Sequence, residues 1–179
     1  TITQPAASVS GSTTQVDVAC FGASSGSTTI TGAGGVGPYD FSIDGGATYP
    51  AAAMDVANHT FTGLAATNYN LMVRDANGCE TAVIPVTINQ PAAAVSGSTT
   101  QVDVTCFGAS TGSMTITGAG GVGPYDFSID GGATYPAPAM DVANHTFAGL
   151  APIAYNLMVR DANVCEPAAI PVTINQPAA

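Results

Sequence analysis

Positive charge is almost missing from this sequence. Its 179 residues include two arginines, no lysine and no tryptophan, against twelve acids, for a formal net charge of −10. A surface that binds nucleic acid or an anionic membrane needs clustered Lys and Arg, so we expect neither partner. No apolar run approaches the roughly 18 residues that a membrane-spanning helix requires, so we also expect no membrane insertion.

Patterns that would support catalysis are sparse as well. The two histidines, His59 and His145, each open a short apolar stretch, where a structural imidazole is the simpler interpretation. No Gly-x-Ser-x-Gly motif and no Cys-x-x-Cys pair occur, so a nucleophile elbow and a Cys/His metal site both lack their residues. The sequence therefore predicts a protein that is not an enzyme.

The sequence contains an internal repeat, two nearly identical copies with a period of 86 residues. Gln4-Pro5 recurs as Gln90-Pro91 and as Gln176-Pro177, and residues 4–89 differ from 90–175 at 12 positions. A fixed long period indicates a tandem array of one module. We assign domains to 1–90 and 91–179. Residues 1–3 then end a preceding repeat and 176–179 begin a following one, so we expect an excerpt of a longer array.

Apolar residues alternate with polar ones along most of each unit, which is typical of half-buried strands. In the first unit we predict strands near 8–13, 16–20, 27–31, 39–43, 59–64, 69–74 and 84–88, and a weaker one around 49–54. Gly- and Asn-rich turns separate them. The predicted fold class is all-β, with two tandem antiparallel β-sandwiches. Pro85 and Pro171 place the last strand at an edge or a bulge.

A leucine five residues before a strand-opening tyrosine predicts a tyrosine corner in each unit. The pairs are Leu64 with Tyr69 and Leu150 with Tyr155. In such a corner the phenol hydroxyl bonds a backbone group upstream and fixes a crossover between sheets.

Each unit carries two cysteines, 59 residues apart. The simplest interpretation is a disulfide within each unit, Cys20–Cys79 and Cys106–Cys165, which would stabilise the fold by about 4 kcal/mol. Free thiols in a reducing compartment and cross-links between neighbouring domains are the alternatives. A disulfide implies secretion or the cell surface. Phe21 and Phe107, which follow a cysteine, are candidate contact residues.

Several motifs together resemble the SprB-type repeat. They are Cys-Phe-Gly-Ala-Ser at 20–24, Gly-Pro-Tyr-Asp-Phe-Ser-Ile-Asp-Gly-Gly at 37–46, Gly-Leu…Tyr at 63–69 and Arg-Asp-Ala-Asn-Gly-Cys at 74–79. The resemblance implies Ig-like sandwiches in large bacterial surface adhesins, including those of gliding motility, and no catalytic residues. The second unit departs from the pattern at Val164, where the first has Gly78, so we expect a different turn there.

Calcium is the chemical alternative that we weigh. The oxygen-bearing residues at one turn of each unit are Asp75, Asn77, Glu80, Asp161, Asn163 and Glu166. Calcium takes six to eight oxygen ligands, and this spacing is not that of an EF-hand loop, so we prefer a plain Asn-Gly turn and predict no cofactor.

The join between the units, Asn89-Gln90-Pro91, is short. Proline fixes its own φ and keeps the preceding residue extended, so we expect a stiff junction. The predicted function is a structural repeat of an extracellular bacterial fibre or adhesin stalk, a semi-rigid rod for adhesion, motility or filament formation. Its partners would be adjacent repeats and other copies in a filament. The alternative is a multivalent module, calcium-stabilised or not, that binds glycans or surfaces.

Overall fold

The computed structural model of the protein describes residues 5–50, 57–136 and 143–178. The chain divides into two compact units, Thr1–Gln90 and Pro91–Ala179. The described residues form strands and no helix. In the first unit the strands are β1 Ser10–Val16, β2 Gly26–Ala33, β3 Asp40–Ser42, β4 Asn58–Leu64, β5 Asn68–Arg74 and β6 Ile84–Thr87. In the second they are β7 Ser96–Val102, β8 Gly112–Ala119, β9 Tyr125–Ser128, β10 Asn144–Leu150, β11 Ala154–Asp161 and β12 Ile170–Thr173.

In the described part of each unit the strands form two antiparallel sheets of three strands. In the first unit the orders are β1-β2-β4 and β3-β5-β6, and in the second they are β7-β8-β10 and β9-β11-β12. The register of β1 on β2 runs from Ser10 opposite Ala33 to Val16 opposite Ser27. Strand β6 lies at a sheet edge, where the missing N–H of Pro85 breaks no central ladder.

Strict alternation of small and branched side chains explains why β2 forms the centre of its sheet. Gly26, Thr28, Ile30 and Gly32 face inward and are buried, whereas the residues between them are half-buried. A one-residue slip would turn this inward face to solvent, so the pattern fixes the register.

The core of the first unit lies between its two sheets. Its buried side chains come from both sheets and from two loop positions: Val18, Ile30, Phe41, Leu71, Val73, Val86 and Ile88. The second unit buries the equivalents of six of these seven, whereas Val172, the equivalent of Val86, is half-buried. The six are Val104, Ile116, Phe127, Leu157, Val159 and Ile174, and Met114 is buried where the first unit has Thr28. Burial of this apolar area is the main favourable contribution to folding.

The predicted fold class, two tandem antiparallel β-sandwiches, is confirmed. One strand prediction is wrong: the alternation at 16–20 continues past the end of β1 at Val16, and Val18 reaches the core from a loop. Most of the weaker strand around 49–54 lies outside the described residues, and Tyr49 and Pro50 are not in a strand. No helix long and apolar enough to cross a membrane occurs in the ranges that the structure describes.

Strand directions give each unit two distinct ends. At the leading end, where the chain enters the unit, Gly35 N–H donates to Ala7 O (2.9 Å) and Ala76 N–H donates to Val36 O (2.8 Å). At the trailing end, where the chain leaves, Val18 N–H donates to Asn89 O (2.8 Å). Strands β1 and β4 run toward the trailing end, and β2 and β5 run toward the leading end.

Candidate functional site: the two ends of each unit

A buried carboxylate organises the leading end. Asp75 is 3% exposed, and its side chain accepts the backbone N–H groups of Val36 (3.0 Å), Asn77 (3.0 Å) and Cys79 (2.8 Å). These amides, that of Cys79 first, lower the pKa of Asp75. One side chain thereby ties the turn after β5 to the loop after β2.

At this turn, the acidic residues named as candidate calcium ligands accept hydrogen bonds from other groups of the protein. The Asp75 carboxylate accepts three amides, and Glu80 accepts the hydroxyl of Tyr49 at 2.8 Å. In the second unit Asp161 accepts the amides of Val122 (2.9 Å), Asn163 (2.9 Å) and Cys165 (2.8 Å), and Glu166 accepts the Tyr135 hydroxyl at 2.6 Å. No group of three or more His, Cys, Asp or Glu that could hold a metal occurs among the described residues. Calcium binding stays an untested hypothesis.

A four-residue polar cluster beside this turn was missed by the sequence reasoning. Arg74 pairs with Asp40 at 2.7 Å, and its guanidinium lies 3.8 Å from the centre of the Tyr49 ring. Partial burial, and the hydrogen bond to Glu80, raise the pKa of Tyr49 to about 12. The planar guanidinium suits both contacts, which a lysine could not make together. The sequence did contain a signal for this cluster, because Arg74, the single Lys or Arg of the unit, falls within a predicted strand.

Another carboxylate closes the turn after β3. Asp44 accepts the Ser42 hydroxyl (2.7 Å), the Thr48 amide (2.9 Å) and the Thr48 hydroxyl (2.6 Å). These bonds, those from Thr48 first, lower the pKa of Asp44 from 3.8 to about 2. In the second unit the hydroxyl of Ser128 is the first cause of the same shift at Asp130, also to about 2.

Each unit has two tyrosines whose hydroxyls bond upstream carbonyls. At the predicted corners, Tyr69 donates to Ala65 O and Tyr155 donates to Ala151 O, each at 3.2 Å. Leu64 packs against the core beside its corner, and Leu150 ends β10. Tyr39 makes a shorter bond of the same kind to Gly34 O, at 2.7 Å. The sequence analysis placed Tyr39 only at the start of the predicted strand 39–43.

The junction residues belong to the trailing end of the first unit. Asn89 donates its backbone N–H to the carboxylate of Asp17 (2.9 Å), and the side-chain oxygen of Gln90 accepts the N–H of Gly22 (2.8 Å). The second unit repeats both bonds, from Asn175 to Asp103 and from Gly108 to Gln176, each at 2.9 Å. Gln90 therefore still forms part of a folded unit, and Pro91 follows it directly.

The predicted pairings Cys20–Cys79 and Cys106–Cys165 are wrong in this structure. Cys79 and Cys106 are free, exposed thiols, so neither pair is closed. A disulfide is present, and it includes neither of them.

The reason is the strand direction. Cys20 follows β1, at the trailing end, and Cys79 follows β5, at the leading end. The seven residues of β5 alone span about 20 Å, whereas a disulfide needs Cα atoms roughly 4–7 Å apart. The second unit has the same order of strands between Cys106 and Cys165.

The expectation of a different turn at Val164 is wrong as well. Val164 adopts φ 64° and donates its N–H to Asp161 O at 3.0 Å, and Gly78 adopts φ 79° and donates to Asp75 O at 2.9 Å. The second unit keeps the glycine geometry with a β-branched residue in the left-handed region.

The remaining candidates from the sequence sit in apolar or exposed surroundings. His59 packs edge-on against Phe61, with ring centres 4.6 Å apart, and His145 packs in the same way against Phe147. Phe21 and Phe107, in the trailing-end loops, are 47% and 60% exposed.

The geometry defines the class: compact antiparallel β-sandwich modules in tandem, each with a preorganised turn at either end. Within that class, the model of the SprB repeat family matches residues 12–48 and 98–134. The match falls at the equivalent place in each unit, and it confirms the resemblance to the SprB repeat found in the sequence. Each match runs from the first strand of a unit to the turn closed by Asp44 or Asp130.

No curated protein matches the chain. Among solved structures, the chain is similar to one described as three N-terminal domains of the bacteriophage RB49 Highly Immunogenic Outer Capsid protein (Hoc). That match has 13% sequence identity and a TM-score of 0.42, and it covers 96% of this chain and 59% of that one.

Proposed function

We propose that this protein is a structural segment of a long extracellular bacterial surface fibre or adhesin stalk, built as a semi-rigid rod of repeats that projects or transmits force in adhesion, motility or filament formation. The matches to the SprB repeat family support a surface role. The observation that carries the proposal is how little chain is left between the units. Gln90 is held by Gly22 of the first unit, and Ala93 O already accepts Gly121 N–H of the second, at 2.8 Å.

Only Pro91 and Ala92 lie between those two anchored residues. Proline locks φ near −65° and confines its predecessor to extended geometry, so this link has little freedom. A flexible spacer would instead need several Gly or Ser residues. The same Asn-Gln anchoring recurs at 175–176, so every junction of this kind in a longer array would be equally short.

Small-angle X-ray scattering on the fully reduced, monomeric chain tests the rod. We expect a narrow distribution of distances for the natural chain. Replacing Pro91 and Ala92 by glycine should broaden it, because the link then gains φ/ψ freedom. The matched control replaces Pro5 and Ala6, the same pair at the first unit, and should leave the distribution unchanged. If the natural chain is already as broad as the glycine variant, the stiff-rod proposal fails.

The multivalent alternative has its own readout. A glycan that bound the chain once per unit, with affinity rising when units are joined, would favour a binding module over a stalk.

A further inference from the structure

We propose that the leading end of the first repeat is a docking site for the trailing-end loop of the second repeat of another copy of the chain, and that docking joins the two copies through a disulfide. In this chain Cys79 and Cys106 are free thiols, and they lie at opposite ends of their units. The partner for each is therefore the other thiol on a second copy of the chain. The inference rests on the proposed function, since it describes how repeats of one fibre would be joined.

The receiving surface is a cleft of about 500 Å³ at the leading end of the first unit. Its walls come from the entering segment, including Ala7 and Val9, from Gly35, and from the turn of Asp75 and Cys79. The three amide bonds to Asp75 fix that turn, so the exposed Cys79 thiol is held at the cleft by a rigid frame. Preorganisation of this kind lowers the entropic cost of binding.

The inserted element is the loop that begins at Cys106. Cys106 is exposed, and the next residue, Phe107, is 60% exposed, which leaves an aromatic ring in water beside a free thiol. The loop is also braced: Ala109 N–H donates to Cys106 O (3.1 Å), and Gly108 N–H donates to the Gln176 side chain (2.9 Å). A rigid loop that presents an exposed aromatic ring is typical of a contact surface.

Two further observations select another repeat as the occupant. Cys20 and Cys165, the repeat equivalents of Cys106 and Cys79, are not free, so the same two positions are already engaged elsewhere in the chain. In sequence, the glutamine that braces each trailing-end loop directly precedes a proline, and the proline at the equivalent position of the first unit, Pro5, lines the leading-end cleft. A unit cannot close its own pair, because its cysteines lie at opposite ends.

The chemistry requires an oxidant, which we take to be a small-molecule disulfide such as oxidised glutathione. The Cys106 thiolate attacks it, forming a mixed disulfide and releasing one glutathione thiolate. The Cys79 thiolate of the second copy then attacks the Cys106 sulfur, and the second glutathione leaves. Two protein thiols are oxidised and one glutathione disulfide is reduced, and the two protons that the protein thiols lose are taken up by the two glutathione thiolates, which leave as thiols.

The test mixes two variants of the full chain in a glutathione redox buffer. Cys79→Ser keeps only the trailing-end thiol, and Cys106→Ser keeps only the leading-end thiol. We expect the mixture to give a Cys106–Cys79 dimer about tenfold faster than either variant alone gives a homodimer, as a docking preference of about 1.4 kcal/mol would produce. Phe107→Ala in the Cys79→Ser background should remove most of that preference. Non-reducing electrophoresis gives the rates, and peptide mass mapping identifies the bonds.

Both serine variants should retain the unfolding temperature of the parent chain, because the exposed Cys79 and Cys106 side chains pack into neither core. Equal rates in the mixture and in the separate variants would overturn the proposal, since random collision predicts no preference. Mapping a Cys20–Cys79 or Cys106–Cys165 bond would overturn it too. The scattering test of the rod uses reduced monomers, so each proposal can fail without the other.

Discussion

Val164 offers the sharpest test of how local backbone geometry sets the stability of these units. It occupies φ 64° in a turn that the first unit builds with Gly78 at φ 79°. The carbonyl and side-chain partners of the two turns match, at Asp161 and at Asp75. The Val164 side chain is 66% exposed, and a Cβ added at Gly78 would meet nothing within 4 Å. The exchange of the two residues therefore changes backbone strain with little change in packing.

The magnitude follows from two opposing effects. An L-residue in the left-handed region costs about 1–2 kcal/mol, and a β-branched side chain belongs at the upper end of that range. Glycine itself lowers the unfolding free energy by about 0.5–1 kcal/mol, because it raises the entropy of the unfolded chain. The net expectation for Val164→Gly is a gain of about 1–1.5 kcal/mol in the unfolding free energy of the second unit. For a domain of this size, that corresponds to a rise in melting temperature of roughly 4–12 °C.

Calorimetry of the full chain, supported by hydrogen exchange on peptides that distinguish the units, measures the effect. Val164→Gly should stabilise the second unit alone, and Gly78→Val should destabilise the first by a similar amount. Val102→Gly is the matched control: this valine is 60% exposed but lies in strand β7, so its replacement should destabilise. If Val164→Gly lowers the melting temperature as Val102→Gly does, the strain argument is refuted.

Three other outcomes can be checked on the same chain. Folding lowers the pKa of Asp44 and Asp130 from 3.8 to about 2, so the stability that these carboxylates contribute is complete above about pH 4 and is lost as the pH falls toward 2. In an acid titration followed by circular dichroism, Asp44→Asn should reduce this loss of stability in the first unit. If the acid unfolding curve of the variant is unchanged, the assignment is contradicted. Arg74→Lys should weaken both the pair with Asp40 and the contact with the Tyr49 ring, seen as faster hydrogen exchange of the turn after β5; an unchanged exchange rate would show that charge alone suffices. Gly32→Ala should cost about 1–3 kcal/mol of unfolding free energy, because the new Cβ would lie 2.8 Å from the Tyr39 ring; an unchanged melting temperature would contradict this packing argument.

Much of the fold could be predicted from the sequence, because alternation of polar and apolar residues is local and its period is specific to strands. The repeat, the sandwich class and the edge position of Pro85 all follow from such patterns. The alternation at 16–20 predicted a separate strand, however, whereas β1 runs on from the predicted strand 8–13 and ends at Val16, beside Asp17, whose carboxylate accepts the amide of Asn89, 72 residues away. A contact of that range leaves no local signal.

The pairing of the cysteines is the clearest case of a property that depends on tertiary structure and that local sequence patterns do not determine. Spacing and even number favoured a bond within each unit, yet a pair can close only if both residues lie at one end of the sandwich. The structure describes four strands between Cys20 and Cys79, β2 to β5, and β5 runs toward the leading end whereas β1 runs toward the trailing end. The direction of β5 is set by its place in the second sheet, so the spacing of the cysteines gave no signal of it.

The amino-acid sequence by itself determined that the chain is a tandem array of β-sandwich modules, since hydrophobic periodicity and an 86-residue repeat require no knowledge of distant contacts. Only the tertiary structure decided where the thiols, the acids and the junction lie, because strand direction and long-range hydrogen bonds set those positions. Asp75 fixes the leading end by accepting the amide of Val36, and Gln90 fixes the trailing end by accepting the amide of Gly22. Both contacts join residues that are distant in sequence and exist only in the folded unit.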